Sequence, residues 1–411
     1  MRWLLFVALS LLAGAGALFI VLIDAEPLVT RTENLSPSAV AQARRLFLFN
    51  DPRRMLAGEQ RRVALPATLI DEGINYLASR ALHGRGALVL GEDSAETRLT
   101  LRVPWPRWLG ERFLNLRAII NESQGEPRIA AAAIGATPIP QWLAEFTLLT
   151  TVRAVGYGQE WDMARGAVRR LTFEPRQGVV LVDFVWQPAL LDKVRGMAID
   201  AAELPRFEHA HRTLVTLLDH KAPKSAMPLR QVLRPMLEAT AGQQPRQRRA
   251  ALLVLALYIA EKNLAHLIPI ARQWPQPHRV TLTLRDREDS AQHFVVSAAL
   301  AAWAGEPAAE AIGVYKELDD ARHGSGFSFA DLAADRAGTR FGELVLRQPE
   351  RIDALLRTDI ADTDLMPSQE GLPEYLYQPE FRRRYGGPGT PAYRAVEAEI
   401  ERRLAALPLY R

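Results

Sequence analysis

The sequence predicts an α+β protein in three parts: an amino-terminal membrane anchor, an α+β domain with an antiparallel sheet, and a mostly α-helical domain. Three observations predict it. An uncharged apolar run fills Trp3 to Ile23. Apolar and polar residues alternate repeatedly between about 60 and 187, the period of a half-buried strand. After Pro188 that alternation gives way to helical spacing. A length of 411 residues suits two or three domains. The expected boundaries are 1–23 for the anchor, 24–58 for a tether and helix, 59–188 for the sheet domain and 189–411 for the helical domain.

Composition narrows the chemistry. A hydrophobic content of 48% with 24% charged residues fits a folded chain. Cysteine is absent, which excludes disulfides, a thiolate zinc site, a cysteine nucleophile and a lipidated amino-terminal cysteine. Basic residues total 51 against 47 acidic, and only Lys193, Lys221, Lys224, Lys262 and Lys316 are lysine. Such arginine usage reflects composition rather than a nucleic-acid surface, so no nucleic-acid partner is expected.

The first element is the run from Trp3 to Ile23, 21 residues without a charge. About 20 helical residues cross a bilayer core. Arg2 before the run and Asp24 and Glu26 after it orient the remainder outward. A cleaved signal peptide is the competing reading, but the run continues from Leu18 to Ile23 past the small residues. The expectation is a single-pass inner-membrane protein with most of its chain periplasmic, the membrane being its partner through residues 3–23.

Residues 24–35 then read as a short tether. Ser36-Pro37 opens a helix to about Phe49, with a capping serine and proline in the first turn. A second helix is predicted over 66–82. Leu99, Leu101 and Val103 alternate with Arg98, Thr100 and Arg102, and a similar alternation runs from Leu114 to Asn121. Residues 170–174 and 179–186 flank Pro175-Arg176-Gln177-Gly178, a hairpin signal. One curved antiparallel sheet with one or two helices is expected. Helices are predicted over 189–220, 228–240, 247–272, 290–304, 308–321, 328–345 and 390–407, with a short strand from Arg279 to Leu284.

The most distinctive stretch is Asp289-Ser290-Ala291-Gln292-His293-Phe294, then Lys316-Glu317-Leu318-Asp319-Asp320, then Gly324-Ser325-Gly326-Phe327-Ser328-Phe329-Ala330-Asp331-Leu332-Ala333-Ala334-Asp335. Asp289 and His293 are four apart and share a helix face, as do Asp331 and Asp335; Glu317 and Asp320 are three apart. Three helices then aim one histidine and several carboxylates at a common centre. Such a set suits a divalent metal held by oxygen and imidazole, or a carboxyl with a raised pKa for acid–base work. His293, Glu317, Asp320, Asp331 and Asp335 are the candidate metal-binding or catalytic residues. The plainer alternative is a structural polar network. In it Ser328 and Asp331 form a capping box, Asp289 caps the helix of His293, and Lys316 or Arg336 neutralises Glu317 or Asp335.

These three blocks, in residues 289–342, resemble the YfiM-like bacterial envelope lipoproteins and, more loosely, the VanZ-like membrane proteins. The resemblance implies an envelope placement, and it marks Asp289, His293, Lys316, Glu317, Asp320, Asp331 and Asp335 as matching polar positions. The lipoprotein cysteine has no counterpart in this chain.

A second motif, Asn121-Glu122-Ser123 with Gly135-Ala136 and Gln141, resembles the lytic transglycosylase signature, which would make Glu122 a general acid. Pro138 departs from that signature, and Glu122 falls in strand alternation where the family has a helix. Residues 134–140 and the strands before them are also similar to YpmS-like extracytoplasmic domains, which implies a sheet cradling an apolar or lipid-like ligand. Together these readings give a non-enzymatic envelope scaffold or a module binding lipid, glycan or an envelope protein. No cofactor beyond a possible divalent metal is expected. The alternative is a cell-wall glycan or lipid hydrolase or lyase, using the histidine–carboxylate cluster or Glu122.

Overall fold

The computed structural model describes residues 22–31, 35–50, 55–104, 106, 108, 110–123, 126–154, 158–187, 203–239, 245–305, 309, 312–313, 316–317, 320 and 324–411. It is an α+β protein with antiparallel sheets and many helices, and it divides into two units, Met1–Val194 and Arg195–Arg411.

The expected membrane anchor requires correction. Among the described residues no helix is long and apolar enough to cross a membrane. Residues 1–21 of the expected span lie outside the described residues. Immediately after the run the backbone is already held by an isolated antiparallel bridge: Asp24 N–H donates to Phe113 O at 2.8 Å, and Phe113 N–H donates back to Asp24 O at 2.9 Å. The transmembrane, signal-anchor and single-pass inner-membrane readings are therefore not carried forward. The next residues are no free tether either. Leu28 N–H donates to Asn115 Oδ1 and Val29 N–H to Thr100 Oγ1, each at 2.9 Å. Ser36 donates through N and Oγ to the Glu72 carboxylate at 2.7 and 2.8 Å. Each bond satisfies a backbone or side-chain group that a tether would leave to water.

In the first unit, helix α1 (Pro37–Phe49) is capped by Ser36, whose Oγ accepts from Ala39 N–H at 3.1 Å. Strand β1 (Gln60–Pro66) leads into α2 (Ala67–Leu82), which ends where His83 takes a left-handed φ of 53°. Strands β2 (Gly84–Leu90), β3 (Ser94–Arg102), β4 (Phe113–Ser123), β5 (Glu126–Ile134) and β6 (Thr137–Ile139) form one antiparallel sheet in sequence order. Gly86 brings α2 close to this sheet, since a Cβ there would lie 2.7 Å from Ile74 Cγ2. Helices α3 (Gln141–Ala154) and α4 (Gly158–Ala167) follow. Strands β7 (Val168–Glu174) and β8 (Val179–Val185) make the predicted hairpin, and β1 joins it on the β8 edge. The single curved sheet expected is thus two sheets. Among the described residues β7 pairs with β8 alone, although it packs beside β4 and β5 of the first sheet. Ala95, Phe173 and Val180 form a small shared core.

In the second unit, α5 (Leu204–Asp219), β9 (Ala226–Pro228), α6 (Arg230–Glu238) and α7 (Pro245–Ile259) come first. The helix expected to reach 272 stops at Ile259 because Glu261 turns left-handed, at φ 55°, and short 3-10 turns follow. Strand β10 (Thr281–Thr283) pairs parallel with β9, inside the Arg279–Leu284 stretch predicted as strand. Then come α8 (Glu288–Ala304), helical residues between 309 and 320, and α9 (Phe329–Arg347). Helices α10 (Pro349–Leu356), α11 (Asp362–Leu365), α12 (Gln378–Tyr385) and α13 (Pro391–Ala405) complete the unit.

Helices α8 and α9 are the centre of this unit. A Cβ on Gly338 would lie 2.1 Å from Phe294 O, and one on Gly342 would lie 2.2 Å from Ala298 O. Alanines 291, 298, 299, 301 and 302 are buried on the facing helix. Small residues on both sides let the two backbones touch, which sets short side chains from one helix within reach of the other.

Candidate functional site

The α8–α9 contact brings His293 to Asp335. The imidazole Nδ1 and Asp335 Oδ1 are 3.1 Å apart, and Ser297 Oγ, one turn along α8, donates to the same oxygen at 2.7 Å. With Nδ1–H donating to the carboxylate, Nε2 faces away from Asp335, in α9's second turn, and toward the remaining candidates. Asp331 Oδ2 lies 3.7 Å from Nε2, and Glu317 Oε1 lies 3.9 Å from it. Lys316 Nζ lies 3.2 Å from Nε2, 3.7 Å from Glu317 Oε1 and 2.9 Å from Asp320 Oδ2.

Glu317 is placed by a cap. Ser328 is the N-cap of α9, and its Oγ accepts from Asp331 N–H at 3.0 Å. In a complete capping box the third helical residue, Asp331, would accept from the Ser328 N–H. Here Glu317 Oε2 takes that bond at 3.0 Å. Glu317 thereby locks its own segment to α9, and the Asp331 carboxylate is released to face His293. The turn between the two segments is closed by Gly324 N–H and Gly326 N–H, both donating to Asp320 O. Gly326 is required there: its φ is +97°, and a Cβ would meet Tyr375 backbone at 2.6 Å. Asp335 is accommodated in the same way, since a Cβ on Gly313 would lie 2.9 Å from Asp335 Oδ2.

Burial makes this cluster electrostatically demanding. Glu317 has no exposure, and His293, Asp335 and Ser297 are also buried. Among the described residues, Glu317 Oε1, Asp331 Oδ1 and Asp335 Oδ2 are buried and accept no hydrogen bond. Burial pushes the Glu317 carboxyl up to about 8, with the Asp335 charge adding to it and His293 and Lys316 opposing. Burial also raises Asp331 above the usual carboxylate range, against the pull of His293. For His293 burial acts downward, but the Asp335 carboxylate outweighs it and holds the imidazole raised, at about 9. Burial lowers Lys316 as well, yet its bond to Asp320 and the charge of Glu317 leave it raised.

Asp289 is not the helix cap expected of it. Arg287 holds the cap position, and Asp289 sits in the first turn, accepting from Ser290 N–H at 2.7 Å. Arg287 binds Asp289 at 3.1 and 2.7 Å and Glu374 at 2.8 Å through two nitrogens, and approaches Asp331 Oδ1 at 3.9 Å. The Arg287 bond holds Asp289 below its ordinary value. Sequence reasoning missed Arg287 and Glu374 as the outer wall of the cluster. The signal for Arg287 was its place two residues before Asp289, whereas Glu374 comes from a distant loop. Arg336, expected as a neutralising partner, instead turns to Glu397 at 2.8 Å and Glu401 at 3.6 Å.

The remaining candidate, Glu122, stands in the first unit on β4, opposite Pro127 in the β5 register. It pairs with Arg170 Nε at 3.3 Å. A general acid on a helix, as in the transglycosylase signature, is therefore not what this glutamate presents. A cavity of about 180 Å³ in the second unit is lined by His211, Tyr258, Asn263 and Arg279 and not by the cluster. His211 there is an ordinary satisfied histidine, its Nε2 2.6 Å from Pro275 O.

No protein-family model, curated protein or solved structure matches this chain.

Proposed function

We propose that the helical unit is a divalent-cation-binding module, with His293 Nε2, Glu317 Oε1 and Asp331 Oδ2 as its ligands. The observation that carries this is the fully buried Glu317 Oε1, which accepts no hydrogen bond and faces an imidazole nitrogen turned toward it by Asp335. The three ligand atoms lie within 4.8 Å of one another. Tetrahedral ligands about 2.1 Å from a metal are about 3.4 Å apart, so the 3.9 and 3.7 Å distances from His293 Nε2 to Glu317 Oε1 and Asp331 Oδ2 need to contract by only a few tenths of an ångström. Asp335 and Ser328 supply the supporting shell, one fixing the imidazole and the other fixing the glutamate. Imidazole with two carboxylates and no thiolate suits zinc or manganese. Three protein ligands also leave positions open for water or a bound group. The resemblance of residues 289–342 to YfiM-like proteins supports treating these polar positions as one functional set.

Elemental analysis of the purified chain, and calorimetric titration with zinc and manganese, test this. One ion per chain is expected, lost in His293→Ala. No stoichiometric ion under either condition would remove the metal reading.

One observation favours an enzymatic reading as well. A carboxyl raised to about 8 is largely protonated at neutral pH and is suited to general-acid work. On that reading Glu317 protonates a leaving oxygen of a glycan or lipid substrate. Glu317→Gln would then abolish turnover of such a substrate while leaving the fold intact.

A further inference from the structure

We propose that Lys316 is a tethered counter-cation which a divalent metal must displace, so that this one side chain governs metal uptake by His293, Glu317 and Asp331. The inference rests on the metal-binding reading above. Lys316 Nζ is 3.2 Å from His293 Nε2 and 3.7 Å from Glu317 Oε1, two of the three ligand atoms. A metal about 2.1 Å from the same atoms would occupy the space beside the ammonium. Two cations so close repel, and the ammonium stands within 3.2 Å of the ring nitrogen that a metal must reach. Either the lysine or the metal holds the site.

The surroundings decide which group moves. Glu317 is fixed, because Ser328 N–H holds its second oxygen and the side chain is fully buried. His293 is fixed by Asp335. Lys316 is the mobile member: its side chain is 51% exposed, and Asp320, four residues along, already accepts from Nζ at 2.9 Å. The ammonium keeps that charged partner when it swings out to water. In the metal-free protein it also offsets part of the charge of the buried carboxylates, which would otherwise be costly.

Calorimetric titration of the full chain with zinc chloride and with manganese chloride tests this in wild type, Lys316→Met and Lys316→Arg. Lys316→Met is expected to bind about tenfold more tightly or better, the repulsion of one neighbouring cation being removed. Lys316→Arg, which keeps the charge, is expected to gain much less. Binding by Lys316→Met alone, with none by wild type, is the same result in its extreme form. If wild type binds and Lys316→Met binds equally or less tightly, the counter-cation role is wrong and the metal site stands. Equal tightening by arginine and methionine also overturns it, because charge is then not the cause. If no variant binds either ion, the metal reading itself fails. Lys316→Gln repeats the test should the methionine variant lack a wild-type circular dichroism spectrum.

Discussion

At the scale of single residues, the cluster works through groups that hold other groups. Asp335 touches His293 from behind, so its removal leaves every ligand present but the imidazole free to turn. Asp335→Ala is expected to weaken metal binding about 10–100-fold, measured by competition with a chromophoric chelator. Protons compete for the same groups. Glu317 and His293 are both raised in the folded state, to about 8 and about 9. Each therefore favours folding where it is protonated, fully below its unfolded value, and that contribution is lost as pH rises through the folded value. The metal-free chain is expected to melt progressively lower between about pH 5 and pH 9. Metal ligation needs the deprotonated groups, so affinity is expected to rise over the same interval. Thermal melts at pH 6 and pH 9, with chelator and with zinc, check both signs. A metal-free chain more stable at pH 9 than at pH 6 would contradict the assignment.

At the scale of elements, the close α8–α9 crossing is what converts sequence spacing into a site. Gly338→Ala would drive a Cβ into the Phe294 carbonyl and is expected to destabilise the chain by about 2–3 kcal/mol in urea unfolding. Gly73→Ala is the opposite case. It lies within α2, a Cβ there meets nothing within 4 Å, and a gain of about 0.5–1 kcal/mol is expected. Much at this scale was legible in the sequence, because periodicity is local. The Asp289–His293 and Asp331–Asp335 spacings, the Ser328 cap and the 175–178 hairpin all depend on neighbours within a turn. What was not legible depends on closure over distance. No local signal said that Glu317 would take the Ser328 amide from Asp331, or that a left-handed Glu261 would end α7. The docking of Leu28 and Val29 was hidden similarly, since their partners Asn115 and Thr100 lie more than 70 residues away.

At the scale of the molecule, the proposed ligands all belong to the second unit, which has its own large core. Phe207, Leu214, Leu233, Leu255, Phe294 and Phe341 are among its fully or nearly fully buried side chains. The first unit draws on a much smaller cluster around Ala95, Phe173 and Val180. A ligand that binds only the folded form stabilises whatever unfolds together with its site, by about 2.7 kcal/mol at one hundred times its dissociation constant. Metal added to the full chain is therefore expected to raise one calorimetric transition, belonging to the helical unit, and to leave the other in place. The fragment 203–411 should show the same shifted transition and the same affinity, because it contains every ligand and every residue that positions one. If zinc instead raises both transitions, or neither, the assignment of the site to the helical unit alone fails.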